Sequence, residues 1–254
     1  VINNLCTKRN KHMETNIDLF KREIQKRMEA AIQYNDEAIK VNNSETIKEL
    51  MNVIKENFSI FCGEKIIDTS IIENFKKEFN DNDIRCNENS SSGFLLVSDC
   101  NIEYINGDTV AYIGSNSCVN EVSDNATILS IGENSIINTV FYEATIRFME
   151  HNSVIKTVTD NVTIWQMWNC AIIQDLCGNA TVWEMKGCSK VQNVRGHAII
   201  QAICENAQIV NMWDNTYASS FLSIICKLHN GAVIRNLSDN SILCAAGVSI
   251  KPII

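Results

Sequence analysis

Proline is almost missing from this chain. The 254 residues include one, Pro252, and only ten glycines. So few residues that break or reverse the backbone exclude a fold built mainly of loops. Apolar runs are short as well. None approaches the roughly 18 residues a membrane-spanning helix needs. The opening stretch VINNLCTKRNKHMETN is polar and lacks the apolar core of a signal peptide. Met13 is a candidate start, with the residues before it an extension. Positive charge is in deficit: 22 basic against 30 acidic side chains leave a net charge of −8. That is the wrong sign for a nonspecific nucleic-acid binder, whose affinity comes from neutralising phosphates. The histidines at 12, 151, 197 and 229 form no ligand pair, and there is no glycine-rich phosphate loop. Cysteine is plentiful, but its eleven copies are odd in number, contain no C-x-x-C pair and follow no framework spacing. They read as reduced thiols of a cytoplasmic protein.

What is present divides near NENSSSG, residues 87–93. Up to Gly93 there are 14 basic and 16 acidic residues; after it, 8 and 14. The spacing predicts a mainly helical N-terminal domain over 1–92 and a repeat domain over 93–254. Leu19, Phe20, Ile24, Met28, Ala31 and Ile32 recur at helical intervals from Asn16 to about Val41. A second helix is expected from near Ser44, with Ile47, Leu50, Met51, Ile54 and Phe58 on one face. SIFCGEKIIDTS, residues 59–70, alternates weakly and suggests a short hairpin. Ser70 and Glu73 have capping-box spacing ahead of Ile71, Ile72, Phe75 and Phe79. Lys21, Arg22, Glu23, Lys26 and Arg27 read as a solvated helix face.

Beyond the boundary the sequence keeps a beat of nine. Small residues recur at Cys100, Thr109, Ser117, Ala126, Ser135, Ala144, Ser153, Val162, Ala171, Ala180, Ser189, Ala198, Ala207, Thr216, Ser223, Ala232 and Ser241. The step is nine except for one of eight (Thr109 to Ser117) and one of seven (Thr216 to Ser223). Aliphatic residues follow two and five places after each anchor, as in Ile164 and Met167 after Val162. A period-two pair belongs to a strand, and the extra residue before the third apolar position is expected to be a corner. Short strand, corner and repeat together make a β-solenoid. Ala or Val anchors alternate with Ser anchors, and Thr127, Thr145, Thr163 and Thr181 follow the first set alone. Two nines therefore make one coil of 18 residues. The expected architecture is α+β: a small helical cap, then a two-arm parallel solenoid of about eight coils.

The residue before the anchor is Asn at 125, 134, 152, 161, 179, 206, 215 and 240. Stacked amides can donate to one neighbour and accept from the other, so these positions read as a structural ladder. His197, Cys170 and Cys188 occupy ladder positions. His197 reads as a hydrogen-bonded substitute. The two cysteines fall in one column, close enough for a disulfide, though a reducing compartment favours two thiols.

The units DNATI, DNVTI and GNATV resemble tandem repeats of solenoid proteins from bacteria and their prophages, which run approximately Gly/Asp-Asn-Ala-x-Val-x-x-Val. The likeness covers Cys100 to about Ala246. It implies a solenoid fold and a phage or mobile-element setting, and brings no catalytic residues with it.

Known solenoid chemistries fit poorly. Calcium-binding nonapeptide rolls need Gly/Asp-rich corners, and hexapeptide acyltransferases repeat every six. A polysaccharide lyase or hydrolase needs carboxylates converging on neighbouring coils. Here Asp175 and Glu184 fall on opposite arms, and Tyr142 separates Asp124 from Asp160. No metal or cofactor is expected. The threonine column could suggest ice binding, but its neighbouring outward column is Leu129, Arg147, Trp165, Trp183 and Gln201, not a flat regular array. That column, specifically Arg147, Trp165, Trp183 and Gln201, is the candidate binding surface, since tryptophan and arginine dominate binding hot spots. The same residues could instead form a cation–π stack that only stabilises the rod. The expected function is a non-enzymatic interaction or scaffold protein whose partner is another protein. The alternative is a glycan-binding or glycan-processing β-helix using the Trp165/Trp183 face. Nucleic-acid mimicry is a weaker variant, given a solenoid net charge of only −6. Neither nucleic acid nor membrane is expected as a partner, and the oligomeric state is left open.

Overall fold

The computed structural model describes residues 16–31, 35–213, 215–220, 224–228, 233–235 and 242–243. Ile32, Leu222 and the anchors Ser223, Ala232 and Ser241 lie outside them. Among the described residues six helices come first: α1 (Asn16–Ala31), α2 (Asn35–Asn43), α3 (Ile47–Glu56), α4 (Phe58–Gly63), α5 (Thr69–Asn74) and α6 (Lys76–Asn80). Nineteen strands follow: β1 (Ile84–Cys86), β2 (Phe94–Val97), β3 (Asn101–Ile105), β4 (Val110–Ile113), β5 (Cys118–Val122), β6 (Thr127–Ile131), β7 (Ile136–Val140), β8 (Thr145–Met149), β9 (Val154–Val158), β10 (Thr163–Met167), β11 (Ile172–Leu176), β12 (Thr181–Met185), β13 (Lys190–Val194), β14 (Ile199–Ile203), β15 (Gln208–Met212), β16 (Tyr217–Ser220), β17 (Ile224–Leu228), β18 (Val233–Arg235) and β19 (Ile242–Leu243).

Even-numbered strands, with β1 at the edge, make one parallel sheet of ten; odd-numbered strands from β3 make a second of nine. Through the middle of the rod, from β5 to β15, each strand pairs with the next one in its sheet 18 residues on, as Ile146 does with Ile164 and Ile164 with Val182. This is the two-arm solenoid. Seven complete turns run from β2 to β15, against the eight or so the repeat suggests, and β16 to β19 carry both sheets further. The anchors and the residues two and five places on point inward. Val162, Ile164 and Met167 are fully buried, as are Ala180, Val182 and Met185, in one continuous apolar core.

Two details differ from the sequence pattern. The extra residue is not a separate corner. It lies inside each five-residue strand, where the pairing ladder of β10 and β12 links Thr163, Ile164, Gln166 and Met167 to their partners and passes over Trp165 and Trp183. Two consecutive side chains are thereby thrown outward. The true corners are two-residue turns whose first residue is often left-handed, such as Asp124 (φ 57°), Asp160 (φ 57°) and Gly178 (φ 67°). Gly, Asn and Asp tolerate that conformation best. The acid there has a second use: it reaches one coil back to accept a backbone N–H. Asp124 Oδ2 accepts from Gly107 N (3.1 Å), Asp160 Oδ2 from Tyr142 N (3.1 Å) and Glu205 Oε2 from Gly187 N (2.7 Å). The asparagine ladder is real but discontinuous. Asn179 Nδ2 donates to Asn161 Oδ1 (3.1 Å) and Asn125 Nδ2 to Asp108 Oδ1 (3.2 Å), with Glu143 interrupting the column between Asn125 and Asn161. His197 is exposed in that column, and Cys170 and Cys188 are free, exposed thiols.

The helical region also departs from expectation. Residues 59–70 form no hairpin: α4 runs through Gly63, burying Phe58, Phe61 and Cys62 on one side. The capping box belongs to Thr46 and Glu49 at the start of α3, while α5 is capped by Asp68, whose carboxylate accepts from Ile71 N (2.9 Å). Arg27 is not merely solvated. It pairs with Glu23 (3.0 Å) and Asp68 (2.9 Å), tying α1 to α5. The helices also do more than close one end of the rod. Phe20, Ile24, Leu50, Phe58, Phe61 and Ile71 share a core with Leu96 of β2 and Leu129 of β6, with Val110 and Tyr112 of β4 packed against it. They therefore cover the outer face of the even sheet over its first coils.

Candidate binding face

Past β6 that outer face continues without its helical cover. Leu129, Arg147, Trp165, Trp183 and Gln201 occupy the same outward position on successive even strands. Leu129 is 7% exposed beneath the helices, whereas Trp165 and Trp183 are 48% and 46% exposed. The pairing of β10 with β12 sets the two indoles one strand spacing apart, with ring centroids 5.5 Å apart and planes within 10°. Each ring thus spends one face on the other.

The next outward position contributes Phe148, Gln166, Glu184 and Ala202, which stand in register. Together with Arg147, both tryptophans, Thr127 and Thr145 they line a groove of about 820 Å³. The structure brings Arg147, Trp165 and Trp183 together along this groove. Gln201 is exposed one coil further on, but Ala202 lines the groove in its place. The sequence pattern does not single out Phe148, because its position is the one expected to form a corner; a two-residue outward step is the signal that finds it. Arg147 lies over neither indole and has no ion pair or hydrogen bond among the described residues, so the cation–π stack does not form through it. Cation–π pairs occur elsewhere: Lys186 over Trp168 (5.6 Å) and Arg195 over Trp213 (4.9 Å). A polar chain backs the groove: Gln166 Nε2 donates to Glu184 Oε2 (2.8 Å), and Glu184 Oε1 pairs with Lys186 (2.8 Å). That hydrogen bond holds the Lys186 ammonium above the usual lysine range.

A second cleft of about 480 Å³ opens where α4 meets the even sheet, and Phe148 lines both. Ile60, Glu64, Tyr112, Glu133, Glu150, His151 and Trp168 border it. The Tyr112 phenol is pushed up to about 12, by burial first and then by Cys62, Glu150 and Glu64 nearby.

Arrangements that could support catalysis are weaker. Asp124, Glu143 and Asp160 edge a corner depression of about 750 Å³, but Asp124 and Asp160 are engaged by backbone N–H groups. Asp175 and Glu184 sit on different sheets. Among the described residues no cluster of three or more His, Cys, Asp or Glu could hold a metal ion, and no helix is long and apolar enough to cross a membrane. The fold and the groove define the class: a two-sheet parallel β-solenoid with a helical layer on part of one face and an aromatic groove on the rest. Searches against family models, curated proteins and solved structures return no match to the chain.

Proposed function

We propose that this is a non-enzymatic interaction protein, with the solenoid as a rigid scaffold that presents the Arg147–Phe148–Trp165–Trp183 groove to another protein. One observation carries the reading. A single outward column is buried under helices at Leu129 and open at Trp165 and Trp183, so an apolar surface that the chain covers at one end is left for another molecule at the other. Exposed clusters of large apolar groups mark interaction sites. Sugar recognition is less well supported, because the stack leaves each indole only one face for a sugar ring. The repeat resemblance adds a bacterial or prophage setting, and the eight cysteines that are free among the described residues suit a cytoplasmic location.

The test is affinity capture from the native host with wild type and with Trp165→Ala/Trp183→Ala. A partner recovered by wild type should bind the double variant more weakly by about 2 kcal/mol or more. Equal recovery by both proteins, or binding to a glycan array that disappears in the variant, would refute the proposal.

A further inference from the structure

The groove and the cleft join at Phe148 into one track. Nine large apolar side chains are more than about a third exposed among the described residues, and five of them, Ile60, Phe148, Trp165, Trp168 and Trp183, line this track. That concentration is not expected of scattered surface residues.

Charge is sorted along the track. The cleft beside α4 is lined by Glu64, Glu133 and Glu150, with His151, 3.9 Å from Glu150, as the basic side chain among its lining residues; Lys186, paired with Glu184, stands 5.6 Å over the Trp168 ring at its rim. Glu133 and Glu150 beside an apolar floor favour a cationic occupant. At the groove, Glu184 is already engaged by Lys186 and Gln166, which leaves Arg147 as the single open charge. The shape of the occupant follows from the half of the face that is already filled. There, helices pack on Leu96, Tyr112 and Leu129. The open strands β8, β10, β12 and β14 cover three strand spacings, about 15 Å, which is the length of about ten helical residues.

We propose that this track receives an amphipathic helix of a partner protein, its apolar stripe on Phe148, Trp165, Trp168 and Trp183 and its lysine or arginine side chains beside Glu133 and Glu150. The proposal rests on the interaction reading above and adds the chemistry of the partner.

The test uses the full chain and three synthetic peptides of about 14 residues, measured by titration calorimetry at low salt. All carry leucines at helical spacing. The first has lysines at one end, the second glutamates in their place, and the third glutamines. The lysine peptide should bind wild type most tightly. Glu133→Gln/Glu150→Gln should weaken it roughly fivefold, the scale of two partly exposed ion pairs, and leave the glutamine peptide unchanged. Trp165→Ala/Trp183→Ala should abolish binding of all three. The isosteric glutamine pair keeps the fold, so the charge arm stands even if the alanine pair misfolds. Preference for the glutamate peptide, or indifference to the glutamine pair, overturns the cationic-helix assignment and leaves the aromatic-face reading intact. Binding by none of the peptides, or a wild-type dimer that the tryptophan changes dissociate, also overturns it; the latter gives the face to a second copy. Lysine-peptide binding that survives the loss of both tryptophans overturns the proposal and the reading beneath it.

Discussion

Ile164 offers the most direct test of the coil. It is fully buried, and the ladder places it between Ile146 of β8 and Val182 of β12, both also fully buried. Ile164→Ala removes three carbons, worth about 2.4 kcal/mol at roughly 0.8 per methylene. Its strand is hydrogen-bonded on both sides, so the neighbouring coils cannot close the gap freely and a cavity cost adds to this. The expected loss is about 3–4 kcal/mol, within the usual span for such truncations. Ile164→Asp should be worse, since an unpaired buried carboxylate costs several kcal/mol. Thr163→Asp moves the same charge by one residue, onto a half-buried outward position paired with Thr145 and Thr181. It should cost less than about 1 kcal/mol, as surface changes do. Urea unfolding followed by circular dichroism measures the three variants. Because stacked coils can unfold piecemeal, hydrogen exchange at β8, β10 and β12 should accompany it. Comparable damage from Thr163→Asp and Ile164→Asp would refute the inward and outward assignment and the 18-residue period with it.

Four further outcomes are expected. Gly178→Ala should destabilise by about 1–3 kcal/mol, because Gly178 has φ +67° and an added Cβ would lie 2.5 Å from Asp160 N; thermal unfolding reads it. Asp68→Ala should cost about 1 kcal/mol as a lost helix cap. Burial raises the Asp68 carboxyl, but hydrogen bonds from Ser70, Ile71 N and Arg27 together bring it below the usual aspartate range. A depressed carboxyl stabilises the fold above its unfolded pKa, and the contribution is lost as pH falls through the folded one. The gap between wild type and Asp68→Ala should therefore narrow below about pH 4 in acid titrations of stability. Trp165→Ala/Trp183→Ala should cost no more than about 1.5 kcal/mol in stability, the scale of a stacked aromatic pair; a larger drop in melting temperature would make the stack structural first. Tyr217–Ser220 should exchange amide hydrogens faster than Thr163–Met167, because the seven-residue unit shifts the pairing register between Ile200 and Ile203.

The repeat was legible because solenoid order is local. An inward residue two places after each anchor and another five places after it need only their own coil and its neighbours to be buried, so Ile146, Ile164 and Val182 show the core without any long-range information. The asparagine columns follow the same rule, although their hydrogen bonds come in separate pairs. Residues 59–70 are ambiguous in sequence for a complementary reason. A short apolar stretch suits a strand or a helix equally, and the burial of Phe58, Phe61 and Cys62 against the rest of the helical core decides for the helix. Likewise Ser70 and Glu73 match a capping box in spacing, but Asp68 takes the cap because the helix begins at Thr69.

The binding face divides along the same line. Nine-residue spacing alone puts Leu129, Arg147, Trp165 and Trp183 in one outward column, one coil apart. It does not say which of them meet water. Leu129 is buried because helices distant in sequence fold back over the first coils and share its core, and Trp165 is open because that layer ends before β10. A period specifies which way a side chain points from its own strand. Where an independent layer of helices stops is set by how two separate apolar surfaces fit together, and no repeat encodes that.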